Sequence, residues 1–149
     1  MTDIRFYHLQ KQNLDQALPL ILEKAYSAGY KSVVRMESTS EIERMSKHLW
    51  VYKQQAFLPH GSKKDGLAED QPIWITDQNE NPNSANTLIL TQGQIAEDIE
   101  SYDLCCEMLD GHSEEQISSA RSRWKEYQEA GHEVTYWHQN ENGAWEKKA

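Results

Sequence analysis

The sequence predicts an α/β domain: a mainly parallel sheet with helices on both faces. Three observations carry that expectation. Strand-like and helix-like stretches alternate along the chain, as they do where helices connect the strands of a parallel sheet. The run Thr87-Leu88-Ile89-Leu90-Thr91 is almost continuously apolar, as in a strand buried on both faces. The 149 residues show no internal repeat and no low-complexity tract, and that length fits one domain.

The elements follow in order. Ile4 to Leu9 alternates and is rich in β-formers, so it reads as a first strand. Leu14, Ala17, Leu18, Ile21, Leu22, Ala25 and Ala28 recur at helical spacing, with Gly29 placed to end the helix. Pro19 interrupts that stripe, because an interior proline removes a backbone hydrogen bond. Lys31 to Met36 reads as a second strand. A helix is expected from Ser40, which stands three before Glu43 in capping-box spacing, to about Trp50, with Ile42, Met45 and Leu49 inward. Pro59 to Gln71 reads as an exposed loop and Pro72 to Thr76 as a short strand. Asp77 to Asn86 is a polar connection, and Ile95 to Glu100 a helical turn or two. Leu104 to Leu109 reads as a strand. Ser113 opens a helix whose first turn holds Glu114 and Glu115, whose stripe is Ile117, Ala120, Trp124 and Tyr127, and which Gly131 closes. Glu133 to His138 alternates as a final strand. The domain is therefore expected over residues 1–138, and 139–149 as a polar tail that frays despite Trp145.

Composition removes several classes of function. Fifteen Lys plus Arg against 24 Asp plus Glu give a net charge of −9. A surface of that sign does not bind nucleic acid over its whole extent. Apolar residues make up 38 % of the chain, and its five Trp and seven Tyr supplement the aliphatic core. No apolar run approaches a membrane span. Met1 to Phe6 holds no basic segment followed by an apolar stretch, so no signal peptide is expected. Cys105 and Cys106 are neighbours. Adjacent cysteines rarely reach disulfide geometry with each other, so two reduced, buried thiols of a cytoplasmic protein are expected.

The usual chemistry of α/β proteins is missing. The seven glycines are too scattered for a G-x-G-x-x-G loop or a P-loop, so backbone N–H groups cannot crowd round a phosphate. No His-Glu-x-x-His, Cys–His zinc spacing or Gly-x-Ser-x-Gly elbow occurs. His132 and His138 share a face if their segment is a strand, which leaves a metal pair as an alternative to structural histidines. No cofactor and no catalytic residue is indicated.

Two segments stand out instead. In Arg121-Ser122-Arg123-Trp124-Lys125, Arg121 and Lys125 lie at i and i+4 on one flank of the apolar stripe, while Arg123 points elsewhere. A basic pair beside an apolar seam suits a peptide carrying both carboxylates and a hydrophobic side chain. A solvated helix face is the plainer alternative. The stretch from Leu49 to Gly61 gathers Trp50, Tyr52, Phe57 and Leu58 round a helix end and a loop. Such aromatics are interface anchors or core.

At these residues the chain resembles a known family. The matching pieces are Phe6-Tyr7, Leu49-Trp50, Phe57-Leu58-Pro59-His60, Pro72-Ile73-Trp74-Ile75 and Leu88-Ile89-Leu90, then Ala120 to Lys125, Tyr127, Ala130-Gly131 and Tyr136-Trp137. In that order they resemble the chi subunit of bacterial DNA polymerase III holoenzyme, over nearly the whole chain. The resemblance implies a Rossmann-like three-layer sandwich without a nucleotide-binding loop. It implies a non-catalytic accessory subunit of the clamp-loader complex, which reaches DNA only indirectly through single-stranded DNA-binding protein. Arg121, Trp124 and Lys125 match the site for that protein's acidic, Phe-terminated tail. Trp50 and Phe57 match the interface for the psi subunit, and a repair helicase is an alternative partner for that aromatic face. Some relatives carry a further basic residue one turn before Arg121, where this chain has Ile117. The competing reading from another class is a small α/β enzyme or nucleotide-binding module with an unrecognised site.

Overall fold

A computed structural model describes residues 1–53 and 58–149. Among the described residues the chain runs β1 (Asp3–Leu9), α1 (Leu14–Ser27), β2 (Ser32–Arg35), α2 (Thr39–Val51), β3 (Gly61–Ser62), β4 (Ile73–Thr76), β5 (Thr87–Leu90), β6 (Leu104–Asp110), α3 (Glu114–Glu129), β7 (Glu133–Gln139) and β8 (Trp145–Lys147). The strands form one sheet in the order β3-β4-β2-β5-β6-β1-β7-β8. Every pairing is parallel except β7 with β8. The expected α/β sandwich is the fold observed.

Alternation along each strand divides the core into two layers. Tyr7, Val34, Ile73, Ile75, Ile89 and Cys106 pack with Leu18 and Leu22 of α1 and with Ile42, Met45 and Leu49 of α2. Ile4, Phe6, Val33, Trp74, Leu88 and Cys105 pack with Ala120 and Tyr127 of α3 and with Ile99 and Tyr102 of the β5–β6 connection. The neighbouring cysteines therefore enter opposite layers, both buried and free. Burial pushes the Cys106 thiol up to about 12, so it stays protonated and inert.

Helix α1 continues through Pro19, capped by Asn13 and Gln16 in a reciprocal capping box. Proline has no N–H, so the carbonyl four residues back, that of Asp15, loses its helical donor. His48 of α2 supplies one: its Nε2 donates to the Asp15 carbonyl at 2.6 Å. The gap in one helix is thus closed by its neighbour. His48→Ala is expected to cost about 1–3 kcal/mol, the usual penalty for a part-buried acceptor left unpaired. Urea denaturation at neutral pH measures it.

Three local expectations give way. The N-cap of α2 is Ser38, which accepts from the N–H of Glu41, not Ser40. Ser38/Glu41 and Ser40/Glu43 have the same spacing, and the earlier pair meets the chain as it leaves β2. The 59–71 segment is not simply an exposed loop: His60, Gly61 and Ser62 are buried, and the last two form β3. The 139–149 segment, expected as a polar tail, carries the end of β7 and strand β8. Trp145 packs edge-on to Tyr7 at 4.9 Å, and that contact seats β8 on the edge of β7.

Candidate functional site

Helix α3 lies on β6 and β7, and one buried cluster fixes its rotation. Glu107 on β6 is 1 % exposed and Arg123 on α3 is 6 % exposed. Arg123 Nη2 and Nε donate to Glu107 Oε1 at 2.6 and 3.0 Å, and Tyr127 Oη donates to Glu107 Oε2 at 2.8 Å. Arg123 Nη1 also donates to Ser119 Oγ. Burial works against the charge of Arg123, yet Glu107 holds its pKa above the ordinary value. With Arg123 turned inward, Arg121 and Lys125 are turned outward, 160–200° away round the helix.

Those two cations stand at an apolar pocket of about 390 Å³, lined by Ala120, Arg121, Trp124, Lys125, Tyr136 and Ala149. Arg121 and Lys125 are exposed, while Trp124 and Tyr136 are part-buried. Behind them sits the fully buried Phe6, its ring centroid 5.8 Å from Trp124 and 6.2 Å from Tyr136. Trp124 and Tyr136 meet at 63° with centroids 6.2 Å apart, so they form two walls of an aromatic corner. The Tyr136 hydroxyl shares a 2.8 Å hydrogen bond with His8 Nδ1, and His8 stacks on His138 at 4.5 Å. Burial, then the neighbouring His138 and His112, lower the His8 pKa. Burial raises that of Tyr136, against the charge of Arg121. The result is a firm apolar recess with positive charge at its rim.

The structure brings Arg121, Trp124 and Lys125 together, as their spacing implies. Ile117, one turn earlier, is part-buried and does not line the pocket. Three contributors were not read from the sequence as site residues: Tyr136, Ala149 and the Glu107–Arg123 clamp. A lone glutamate inside the apolar strand Leu104–Leu109 was the available signal for the clamp.

Trp50 lies far from this pocket, at the end of α2 beside β3 and β4. It is 50 % exposed, and its ring sits 4.4 Å from that of His60. His60 is buried between two carbonyls, with Nδ1 2.7 Å from Leu58 O and Nε2 2.9 Å from Ser46 O. Val51 beside Trp50 is 76 % exposed, so an apolar patch reaches solvent here. Phe57 falls outside the described residues. From β3 to β7 the sheet makes six steps, about 29 Å at the usual strand spacing. α2 and α3 also cover opposite layers of the core.

A cleft of about 610 Å³ lies where β1 and β6 end, and Lys11, Asn13, Arg44, Asp110 and Gln116 are among its lining. An α/β sheet commonly takes a nucleotide at such a place. Here several of the polar groups are engaged already: Arg44 with Asp15 and Glu41, Asn13 with Gln16, and the Asp110 N–H with Gln116. His132 and His138 are engaged separately. His132 Nδ1 accepts from the Thr2 N–H at 3.0 Å, while His138 stacks on His8. Among the described residues no group of three His, Cys, Asp or Glu is placed to hold a metal ion, and no helix is long and apolar enough to cross a membrane.

Comparison with known proteins settles the family. The profile described as DNA polymerase III chi subunit, HolC, matches residues 1–135. The chain belongs to the DNA polymerase III chi subunit family. A relative from Rickettsia prowazekii (strain Madrid E), named "Probable DNA polymerase III subunit chi", is 37 % identical over 90 residues. Those residues are 60 % of this chain and 54 % of that protein, so the chain spans about half the length of the curated relative it matches. The chi profile covers all of α3 but ends just before Tyr136. The remaining wall of the pocket, from Tyr136 to Ala149, is built beyond it.

Proposed function

We propose that this chi-family protein is a non-catalytic accessory subunit of the replicative polymerase's clamp-loader complex, and that it grips the acidic C-terminal tail of single-stranded DNA-binding protein. The observation that supports this reading is the apolar pocket at α3, with Arg121 and Lys125 at its rim. An apolar recess accepts the terminal Phe side chain, and arginine and lysine pair with carboxylates of the tail. A protein of net charge −9 is poorly suited to DNA itself but reaches it through the protein that coats it. The exposed patch at Trp50 supports a second partner, the psi subunit or, for the same face, a repair helicase. Its placement by β3, at the opposite end of the sheet from β7 and on the opposite layer of the core, lets both partners bind at once, as a bridge requires. The function calls for no cofactor, and its setting is the cytoplasm.

Fluorescence anisotropy of a labelled acidic peptide ending in Phe tests the tail site. Saturable binding is expected, weakening as salt screens the ion pairs, and lost when the peptide lacks its Phe. No binding by the folded protein at low salt refutes the reading.

A further inference from the structure

The pocket's outer wall is made by a segment whose local geometry is unusual. Strand β8 pairs antiparallel with β7, with Trp137 opposite Lys147 and His138 opposite Glu146. One step on, the ladder changes. Lys148 N–H and Ala149 N–H both donate to the Tyr136 carbonyl, at 2.7 and 3.4 Å, and Tyr136 N–H donates to the Ala149 carbonyl at 3.2 Å. Two residues thus oppose one, which is a β-bulge. In a regular strand Lys148 and Ala149 would face opposite sides of the sheet. Here Ala149 lines the α3 pocket beside Tyr136. Lys148 stands across from Tyr136, in step with Glu146 and His138, which lie towards the same layer. Lys148 Nζ is 3.5 Å from Glu146 Oε2, and Glu146 is itself held by Asn140 Nδ2 at 3.1 Å. Both partners of that ion pair are about half exposed. On the opposite side of β8, Trp145 is docked against Tyr7, so the bulge is anchored.

We infer that β8 and its bulge extend the peptide site: Ala149 closes the apolar pocket, and Lys148 is a third cation for the acidic stretch of the ligand. This rests on the tail-site reading and adds a residue outside the span that the chi family profile covers. The occupant is an acidic peptide, because Arg121 and Lys125 line the pocket and Lys148 stands beside it at the end of β8, paired with Glu146. Glu146 partly neutralises Lys148 in the free protein. An incoming carboxylate competes with it, so Glu146 lowers affinity while Lys148 raises it.

Opposite signs make this testable on the whole protein. The probe is the labelled acidic peptide ending in Phe, titrated at low salt. Lys148→Glu is expected to weaken binding about fivefold, and Glu146→Gln to tighten it about twofold, both effects fading at high salt. Lys64→Glu, at an exposed site on the far side of the sheet, makes the same change in net charge and is expected to leave the affinity unchanged. Equal weakening by Lys148→Glu and Lys64→Glu would show a general charge effect and overturn the inference. Unchanged affinity in Lys148→Glu and Glu146→Gln, with Arg121→Ala still weakened, overturns the role of β8 alone. Failure of the unaltered protein to bind overturns the tail site and this extension with it.

Discussion

Glu107→Ala is expected to destabilise the protein by about 3–5 kcal/mol, the range for removing one partner of a buried ion pair. The substitution strands Arg123, which is 6 % exposed, and takes the acceptor from the Tyr127 hydroxyl. For a chain of this size that loss lowers Tm by roughly 10 °C. Arg123→Ala should cost a similar amount, because it strands the carboxylate instead. The double replacement Glu107→Leu with Arg123→Met is expected to recover most of the loss, since a buried pair gives little net stability over an apolar one. Urea denaturation of Glu107→Leu, Arg123→Met and their combination supplies the cycle. Additive losses in the double variant would mean that the two side chains do not act as a unit. The cluster also sets which face of α3 meets solvent. Variants that survive folding without it should therefore bind the peptide less tightly even where the pocket residues are intact.

The sequence made the repeating parts of this fold plain and hid the single interactions. Hydrophobic periodicity locates α1, α2, α3 and the long strands, because burial acts on every second residue of a strand or on one stripe of a helix. Leu88, Ile89 and Leu90 are buried on both faces, as their unbroken apolar run implied. Strand β3 is two residues long and β8 three, too short for any period to register. β8 depends on Trp145 finding Tyr7 some 138 positions away, which no local pattern in a polar, glycine-containing segment reveals. The tolerance of Pro19 is hidden for the same reason: its compensating donor, His48, sits on another helix. In the site, the i, i+4 spacing of Arg121 and Lys125 showed the cationic rim. It did not show that Arg123 lies between them in sequence only to be buried against Glu107. Whether a charged residue on a helix faces solvent depends on what the opposing strand presents, and that is long-range information.

The rim and the recess should separate in peptide binding, and the separation carries the largest functional effect. Trp124→Ala removes one wall of the aromatic corner. Truncating an aromatic anchor at the centre of a contact typically costs 2 kcal/mol or more, so affinity should fall about thirtyfold. Arg121→Ala removes one exposed charge-assisted contact worth about 1.5 kcal/mol, so a fall of about tenfold is expected. The two differ further in their response to salt. Arg121→Ala takes away an interaction that salt screens, and its remaining affinity should vary less with ionic strength than that of the unaltered protein. Trp124→Ala leaves both cations in place and should keep the original salt dependence at a lower affinity. Because Trp124 rests on Phe6 at 5.8 Å, its variant needs a thermal melt beside the titration, and Trp124→Phe serves as the conservative partner that retains a wall. Identical salt dependence in the Arg121 and Trp124 variants would mean that charge and apolar contact are not divided between these residues. The pocket would then have to be read as a purely hydrophobic surface with incidental cations at its edge.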